Sequence, residues 1–458
     1  MKKTLLCCLV LLYSISAYPW GSDVFVQAQP TGRSSLVATS SGTLYCSSSR
    51  GASGVGGMDI LESTDMGLSW TPIINLGSGQ WIEKSKLVVT GTDSVYCAYQ
   101  IGPDLFFFSV QSFISTPFTT VSVSDFDIVA SPNGNAVYLY TDEFTTNNIN
   151  RYSSTDGGYT WTGSTALVTG NGAVPRICMT GTRLILNYYG PVLNDTATSI
   201  IRSAIYNETT PGTLTASTFI DMVAAGPVRS QYASVIINGL VWFVYSEGDV
   251  SPVLKYMLST DNGATYGAET VVPALASNTT KCFDIAPFMS AIDAGMMLVC
   301  YTEGLPPQAE MMFTSVSTLA PTSFASLEVI NDFNPQCTDA STLPTVFSLG
   351  GDAGVIWVEI ATGGSDLYFD IRSGVVSVSE IGNESEISVY PNPVQNNLTI
   401  QIDGNFAMQE GKIMDGSGRI IREIQLKSEK TSIDISDLSS GIYWIRTEKG
   451  TPVRFTKL

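Results

Sequence analysis

One octapeptide occurs three times in this chain, and it limits what the chain can fold into more than any other feature. The copies are Ser63-Thr64-Asp65-Met66-Gly67-Leu68-Ser69-Trp70, Ser154-Thr155-Asp156-Gly157-Gly158-Tyr159-Thr160-Trp161 and Ser259-Thr260-Asp261-Asn262-Gly263-Ala264-Thr265-Tyr266. Apolar or aromatic residues precede each copy, and a Trp or Tyr opens the run that follows. The pattern reads as a hairpin. A short Asp side chain accepts bonds from nearby backbone N–H groups, and the following Gly takes a positive φ at little cost. The Ser and Thr hydroxyls satisfy further turn groups. The terminal aromatic is expected to be buried between neighbouring sheets and to hold the hairpin down.

A second repeat agrees with the first. Short apolar and aromatic strands recur at Thr43–Cys46, Ser94–Tyr99, Ala136–Tyr140, Leu184–Tyr188, Val241–Tyr245, Met297–Tyr301 and Val355–Val358. Each follows a shorter strand and a turn. From Tyr45 to Trp357 the six intervals average about 52 residues, a period that indicates a propeller or solenoid. The octapeptides lie 91 and 105 residues apart (154 − 63 and 259 − 154), about two periods each. Units of four strands are expected to begin near Leu36, Lys86, Phe126, Arg176, Tyr232, Phe283 and Thr345, with Asp23–Gln27 as a closing strand. The octapeptide resembles the Asp box, or BNR repeat, of sialidase-like β-propellers. That resemblance implies an all-β propeller whose boxes lie at the periphery, away from any substrate. The residues of the boxes, Asp65, Gly67 and Trp70, Asp156, Gly158 and Trp161, and Asp261, Gly263 and Tyr266, are accordingly expected to be structural. Seven blades are counted; sialidases of that family have six, which is the alternative.

The 458 residues carry a net charge of −18 and no histidine. So acidic a chain repels nucleic acid and anionic membranes. The missing imidazole excludes Ser-His-Asp and Cys-His catalysis and HExxH zinc sites, but leaves chemistry built on carboxylate, Tyr and Arg. Lys2 and Lys3 precede an apolar run from Leu5 through Ile15. This reads as a secretory signal peptide over residues 1–17, too short to span a bilayer. No other segment is long and apolar enough to do so. Among the six cysteines beyond it, Cys46, Cys97, Cys178 and Cys300 sit in apolar strand patterns and read as buried thiols. Cys282 and Cys337 lie outside such patterns and are the candidate disulfide of an exported protein.

The character of the chain changes near Gly382, so the propeller is assigned residues 18–382 and a linker 383–387. From Asn383 onward there are nine basic and ten acidic residues, against twelve and thirty-one between the leader and Asn383. Val389-Tyr390-Pro391-Asn392-Pro393, Lys412-Ile413-Met414-Asp415-Gly416, Ile433-Asp434-Ile435 and Gly441-Ile442-Tyr443-Trp444 follow as alternating strands and Gly/Asp turns. These blocks, over residues 388–458, make a small β-sandwich. They look like the type A C-terminal sorting domain of the type IX secretion system. The resemblance implies the type IX machinery as a partner, and release or surface attachment after export.

Function in a propeller belongs at the axial mouth, where innermost strands begin. Arg33, Arg176 and Arg229 stand at such places, with Glu83, Asp125, Asp127 and Asp284 in similar ones. The sialidases that the chain resembles use three arginines on a substrate carboxylate, a Tyr with a Glu partner as nucleophile, and an Asp acid. Guanidinium forks suit a carboxylate because they bind it bidentately. Tyr245 with Glu247, and Tyr301 with Glu303, have the i, i+2 spacing that puts two side chains on one face of a strand. At most two of the three arginines are expected to share a pocket. The family's Arg-Ile-Pro motif is absent: Ser34 and Ser35 follow Arg33, and Val174-Pro175-Arg176-Ile177 only permutes its letters. The favoured reading is a surface propeller that binds glycans or other surface ligands without catalysis and without a cofactor. A sialidase-like glycoside hydrolase and an adhesion scaffold are the alternatives.

Overall fold

The computed structural model describes residues 20–457 apart from 29, 31–32, 51–55, 119–121, 171, 191–199, 224–230, 249–250, 276–278, 291–292, 304–308, 332–342, 350, 362–363, 373–386, 403–408, 416–419, 427, 440 and 448–452. Among these residues seven four-stranded antiparallel sheets precede the C-terminal module. Six are continuous in sequence. They begin with Ser35–Ala38, Ile82–Val89, Val123–Ala130, Ala173–Thr180, Gln231–Ile237 and Thr279–Met289. The seventh consists of Thr345–Leu349, Asp352–Ala361 and Gly364–Arg372, completed by Val24–Ala28 from the N-terminal end of the chain. The first strands neighbour one another around a closed ring, that of the seventh sheet beside that of the first. The fold is a β-propeller, and the strand expected at Asp23–Gln27 closes it. No helix of the described residues is long and apolar enough to cross a membrane.

The recurrent apolar runs form the second strand of each blade. There both faces of the sheet are covered, so consecutive residues are buried: Leu44–Arg50, Val95–Ile101 and Val137–Glu143 are buried at every position but the last. The core is accordingly divided among the blade interfaces. Between blades two and three, for example, Tyr96 and Phe107 pack on Phe126 and Leu139; between six and seven, Met297 and Phe313 pack on Val355 and Trp357. Each such aromatic contributes about 1.5–3 kcal/mol by burial.

The three octapeptides connect the third and fourth strands of blades one, three and five, and they repeat one hydrogen-bond pattern. The Ser63, Ser154 and Ser259 hydroxyls accept the Gly67, Gly158 and Gly263 N–H at 2.8, 2.7 and 2.8 Å. Each Asp accepts from the backbone N–H and the hydroxyl of the Ser or Thr four residues on, as Asp156 does from Thr160 at 2.9 and 2.7 Å. The residue after the Asp is left-handed in all three copies, with φ of 60° at Met66, 73° at Gly157 and 61° at Asn262. The terminal aromatic lies against the preceding blade: Trp70 is edge-on to Phe369 at 5.4 Å, and Trp161 to Phe107 at 5.1 Å and Phe118 at 4.8 Å. Trp70, Trp161 and Tyr266 are half-buried rather than enclosed, because each stands at the turn into the outermost strand, at the margin of its blade.

Cys46, Cys97, Cys178 and Cys300 are free thiols, Cys178 half-buried and the others buried. Cys282 is disulfide-bonded. Cys337, its expected partner, lies outside the described residues, as does the leader-like run 1–17. The C-terminal module packs Ile387–Tyr390, Asn397–Ile402 and Lys430–Asp434 on a second sheet of Gln409–Asp415, Ile420–Leu426, Gly441–Thr447 and Val453–Lys457. Leu398, Ile400, Ile413, Ile445 and Phe455 lie between the two sheets.

Candidate functional site

The first strands of the blades surround a cavity of about 150 Å³, lined from all seven blades. Arg33, Lys84, Lys86 and Arg176 bring positive charge to it, and Asp127 and Asp284 negative charge. Each blade is tied to the next at this level. Leu87 N–H donates to Ser35 Oγ at 3.0 Å, joining blades one and two. Lys86 pairs with Asp127, and Lys84 with Asp125 and the Phe126 carbonyl, joining two and three. Ile177 N–H donates to Asp127 Oδ2 at 2.8 Å, and Arg176 pairs with Asp125 at 2.8 Å. Asn187 donates to Ser234 Oγ at 2.7 Å, and Phe283 N–H to Gln231 Oε1 at 3.1 Å. Val346 N–H donates to Asp284 Oδ2 at 3.0 Å, and Thr345 Oγ1 to the Ser34 carbonyl at 3.1 Å, which completes the circuit.

Burial and charge compete at this ring. Burial alone would raise the Asp125 carboxyl; Arg176 above all, then Lys84 and Arg33, hold it well below the usual range. Burial likewise opposes ionisation of Asp127, and Lys86 leads the cations that keep it low. Lys84 is pushed down to about 7, first by burial and then by Arg176 and Arg33, against the pull of Asp125. Arg33 is lowered to about 10 by burial and by Arg176. Asp284 goes the other way. Burial pushes it up to about 6, and its bonds from the Val346 and Ile285 N–H groups and the charges of Lys86 and Arg33 offset this only in part.

This difference has a measurable consequence. The folded chain binds the Asp284 proton more tightly than the unfolded chain, so the group favours folding at low pH and that contribution is lost as pH rises from about 4 through about 6. We expect Asp284→Asn to flatten the fall in stability across that window, by on the order of 2–3 kcal/mol. Denaturant midpoints of both proteins at several pH values check this; parallel pH profiles would contradict it.

Of the arginines singled out in the sequence, Arg33 and Arg176 meet at the cavity, while Arg229 lies outside the described residues. The Tyr/Glu combinations lie elsewhere. Tyr245 is buried on the second strand of blade five, and its hydroxyl bonds to Glu269. Glu247 pairs with Lys255. Tyr301 is packed into the interface of blades six and seven, and of the Glu303 side chain nothing is described. The spacing placed Tyr245 and Glu247 on one face of a strand, but it is a second strand, and their partners Glu269 and Lys255 come from farther out in the blade rather than from the axis. The side chains of Lys84 and Lys86 were missed. So was a sequence signal: Phe-Asp-Ile occurs at 126–128, 283–285 and 369–371. Asp127 and Asp370 each accept the N–H of the following Ile and a second N–H from elsewhere, Ile177 and Gly21 respectively. Asp284 does the same with Ile285 and Val346. Among the described residues no group of three or more His, Cys, Asp or Glu could hold a metal ion.

Residues 388–458, the two-sheet module, match the family described as secretion system C-terminal sorting domain. This segment is a type IX sorting domain. A chain that carries it is exported, to the cell surface or into the medium, and the sorting domain engages the type IX machinery. No protein of curated function matches the sequence. Similar solved structures include an α-L-arabinofuranosidase of Fusarium graminearum, at 14% identity over 79% of this chain and 99% of that one, with a TM-score of 0.46. A protein of Dyadobacter fermentans, described as of unknown function, is 12% identical over 77% of this chain and 98% of its own (TM-score 0.49). The NanB sialidase of Streptococcus pneumoniae is 12% identical over 77% and 70% (TM-score 0.45).

Proposed function

We propose that residues 18–382 form a binding propeller, delivered by the sorting domain, whose axial cavity takes glycans or other surface ligands without turning them over. One observation carries this reading: the charged groups at the axis are engaged in joining blades. Arg176 is committed to Asp125, Lys86 to Asp127, and Asp127 to two backbone N–H groups. A hydrolase acting on a sialoside needs a carboxylate receptor and an activated nucleophile at one place. A phenol at its ordinary pKa near 10 is a poor nucleophile at neutral pH unless a base assists it. Tyr245 and Tyr301 lie in blade interfaces and do not line the cavity.

The test is direct. Purified mature protein should release no fluorophore from a fluorogenic sialoside and should bind members of a glycan array. Sialoside turnover that Arg176→Ala abolishes would overturn the reading in favour of a sialidase-like hydrolase. Neither turnover nor binding would leave an adhesion scaffold.

A further inference from the structure

The axis inverts the charge of the chain around it. Twelve basic and thirty-one acidic residues lie between the leader and Asn383, yet four of the twelve, Arg33, Lys84, Lys86 and Arg176, line a single cavity of about 150 Å³. The carboxylates beside them are turned to the protein. Asp125 accepts from Arg176, Lys84 and the Phe126 N–H, and Asp127 from Lys86 and the Ile128 and Ile177 N–H groups. Asp284 accepts from the Val346 N–H, and burial drives it toward its neutral form. Two of the cations, by contrast, are only partly spent. Arg176 donates through Nη1 alone, to Asp125 at 2.8 Å and to the Pro175 carbonyl at 2.7 Å. A guanidinium has five N–H donors, so its Nε and Nη2 edge, with the remaining three, meets no acceptor among the described residues. Lys86 gives Asp127 one of three ammonium hydrogens, and its side chain is 36% exposed.

We propose that the axial cavity takes the sulfate ester of a sulfated glycan, gripped between the Nε and Nη2 edge of Arg176 and the Nζ of Lys86. The inference rests on the reading of the axial cavity as the binding site and names the class of ligand. The placing of the donors selects the group. Lys86 comes from blade two and Arg176 from blade four, and both act on Asp127 of the blade between them. A planar carboxylate meets one fork in its own plane. The three terminal oxygens of a sulfate ester face several directions, so they receive donors from both sides at once, through charge-assisted bonds. A cavity near 150 Å³ accommodates a group of about benzene's bulk. The sulfate fits within it, and the sugar extends past the exposed side of Lys86.

The experiment titrates the full mature chain calorimetrically, at constant ionic strength, with N-acetylglucosamine 6-sulfate, with N-acetylglucosamine and with glucuronate. We expect saturable binding of the sulfated sugar, at least about tenfold tighter than of the neutral sugar or of the carboxylate. Arg176→Lys keeps a cation for Asp125 and loses the fork, so it should weaken the sulfated sugar at least about tenfold. Lys86→Gln, which keeps a donor for Asp127, should weaken it similarly and gives a second route if the first variant does not fold. No saturation by the sulfated sugar, glucuronate or the neutral sugar binding as tightly, or undiminished binding by both variants would each overturn the inference. A glycan array on which sulfated members bind no better than their unsulfated counterparts would sink it too, while binding of those counterparts left the broader reading of a binding propeller standing.

Discussion

Replacing Asp125 by alanine should destabilise the propeller by about 3–5 kcal/mol, the usual cost of removing one partner from a buried ion pair. Asp125 receives Arg176 at 2.8 Å from blade four and Lys84 from blade two, and its own backbone carries it in blade three. Three blades therefore meet on one carboxylate. Without it a guanidinium and an ammonium face each other across a buried cavity, since each already acts on the other unfavourably. Arg176→Met in the same chain should recover part of the loss, because it removes a charge that the alanine left uncompensated. Denaturant unfolding of the parent, the single and the double variant measures both steps. A single variant within about 1 kcal/mol of the parent, the range of an ordinary surface pair, would show that the ring does not depend on this contact.

The second large effect concerns the octapeptide glycines, and it is graded. A Cβ on Gly67 would come within 1.9 Å of the Phe369 ring, and one on Gly158 within 1.9 Å of the Phe107 ring. On Gly263 it would meet the end of Ile185 at 3.0 Å. All three have φ between 86° and 89°, where an L side chain costs about 1–2 kcal/mol before any contact. The alanine variants of Gly67 and Gly158 carry that cost plus about 1–3 kcal/mol for displacing a packed ring. For Gly263→Ala the backbone term dominates, because the Ile185 methyl can turn aside. Stability should therefore fall most, and comparably, in the first two variants and least in the third. Equal losses at all three positions would mean that the backbone alone decides, and that the aromatic contact with the preceding blade is incidental.

What could be read from the sequence follows from how local each feature is. The octapeptide carries its own hydrogen bonds within seven residues, and the second strands are buried on both faces, so turn chemistry and apolar runs reported both. The starts placed near Leu36, Lys86, Phe126, Arg176, Tyr232, Phe283 and Thr345 all fall within first strands for the same reason. The axial ring is different. Lys86 meets Asp127 across 41 residues and Thr345 meets Ser34 across 311, and neither spacing has a period. Tyr245 and Glu247 share a face, as their spacing required, but which groups lie opposite that face is decided by the packing of the outer strands, and these supplied Glu269 and Lys255. Two of the three Phe-Asp-Ile tripeptides, at 126–128 and 283–285, were the one trace of the ring in the sequence, the third lying on the third strand of the seventh blade. They become informative only once an Asp beside an inner-strand Ile is seen to use its own following amide.

The closing strand bears on how the chain comes to be a ring at all. Val24 pairs with Phe369, and Trp20 lies against Phe313 with its indole N–H on Glu328. The last blade thus waits for residues made first, and a span of 345 residues (369 − 24) must be drawn shut at one place. For a flexible chain that closure costs about 5 kcal/mol, growing only with the logarithm of the span, so one strand and one buried tryptophan are enough to hold it. The fastening also gathers both ends of the propeller onto a single wedge. Trp20 bridges to Arg372, and the sorting domain follows in sequence, so the first and last described residues of the propeller meet at the seventh blade. The other six blades are each made from one continuous stretch of chain and need no strand from a distant part of the sequence.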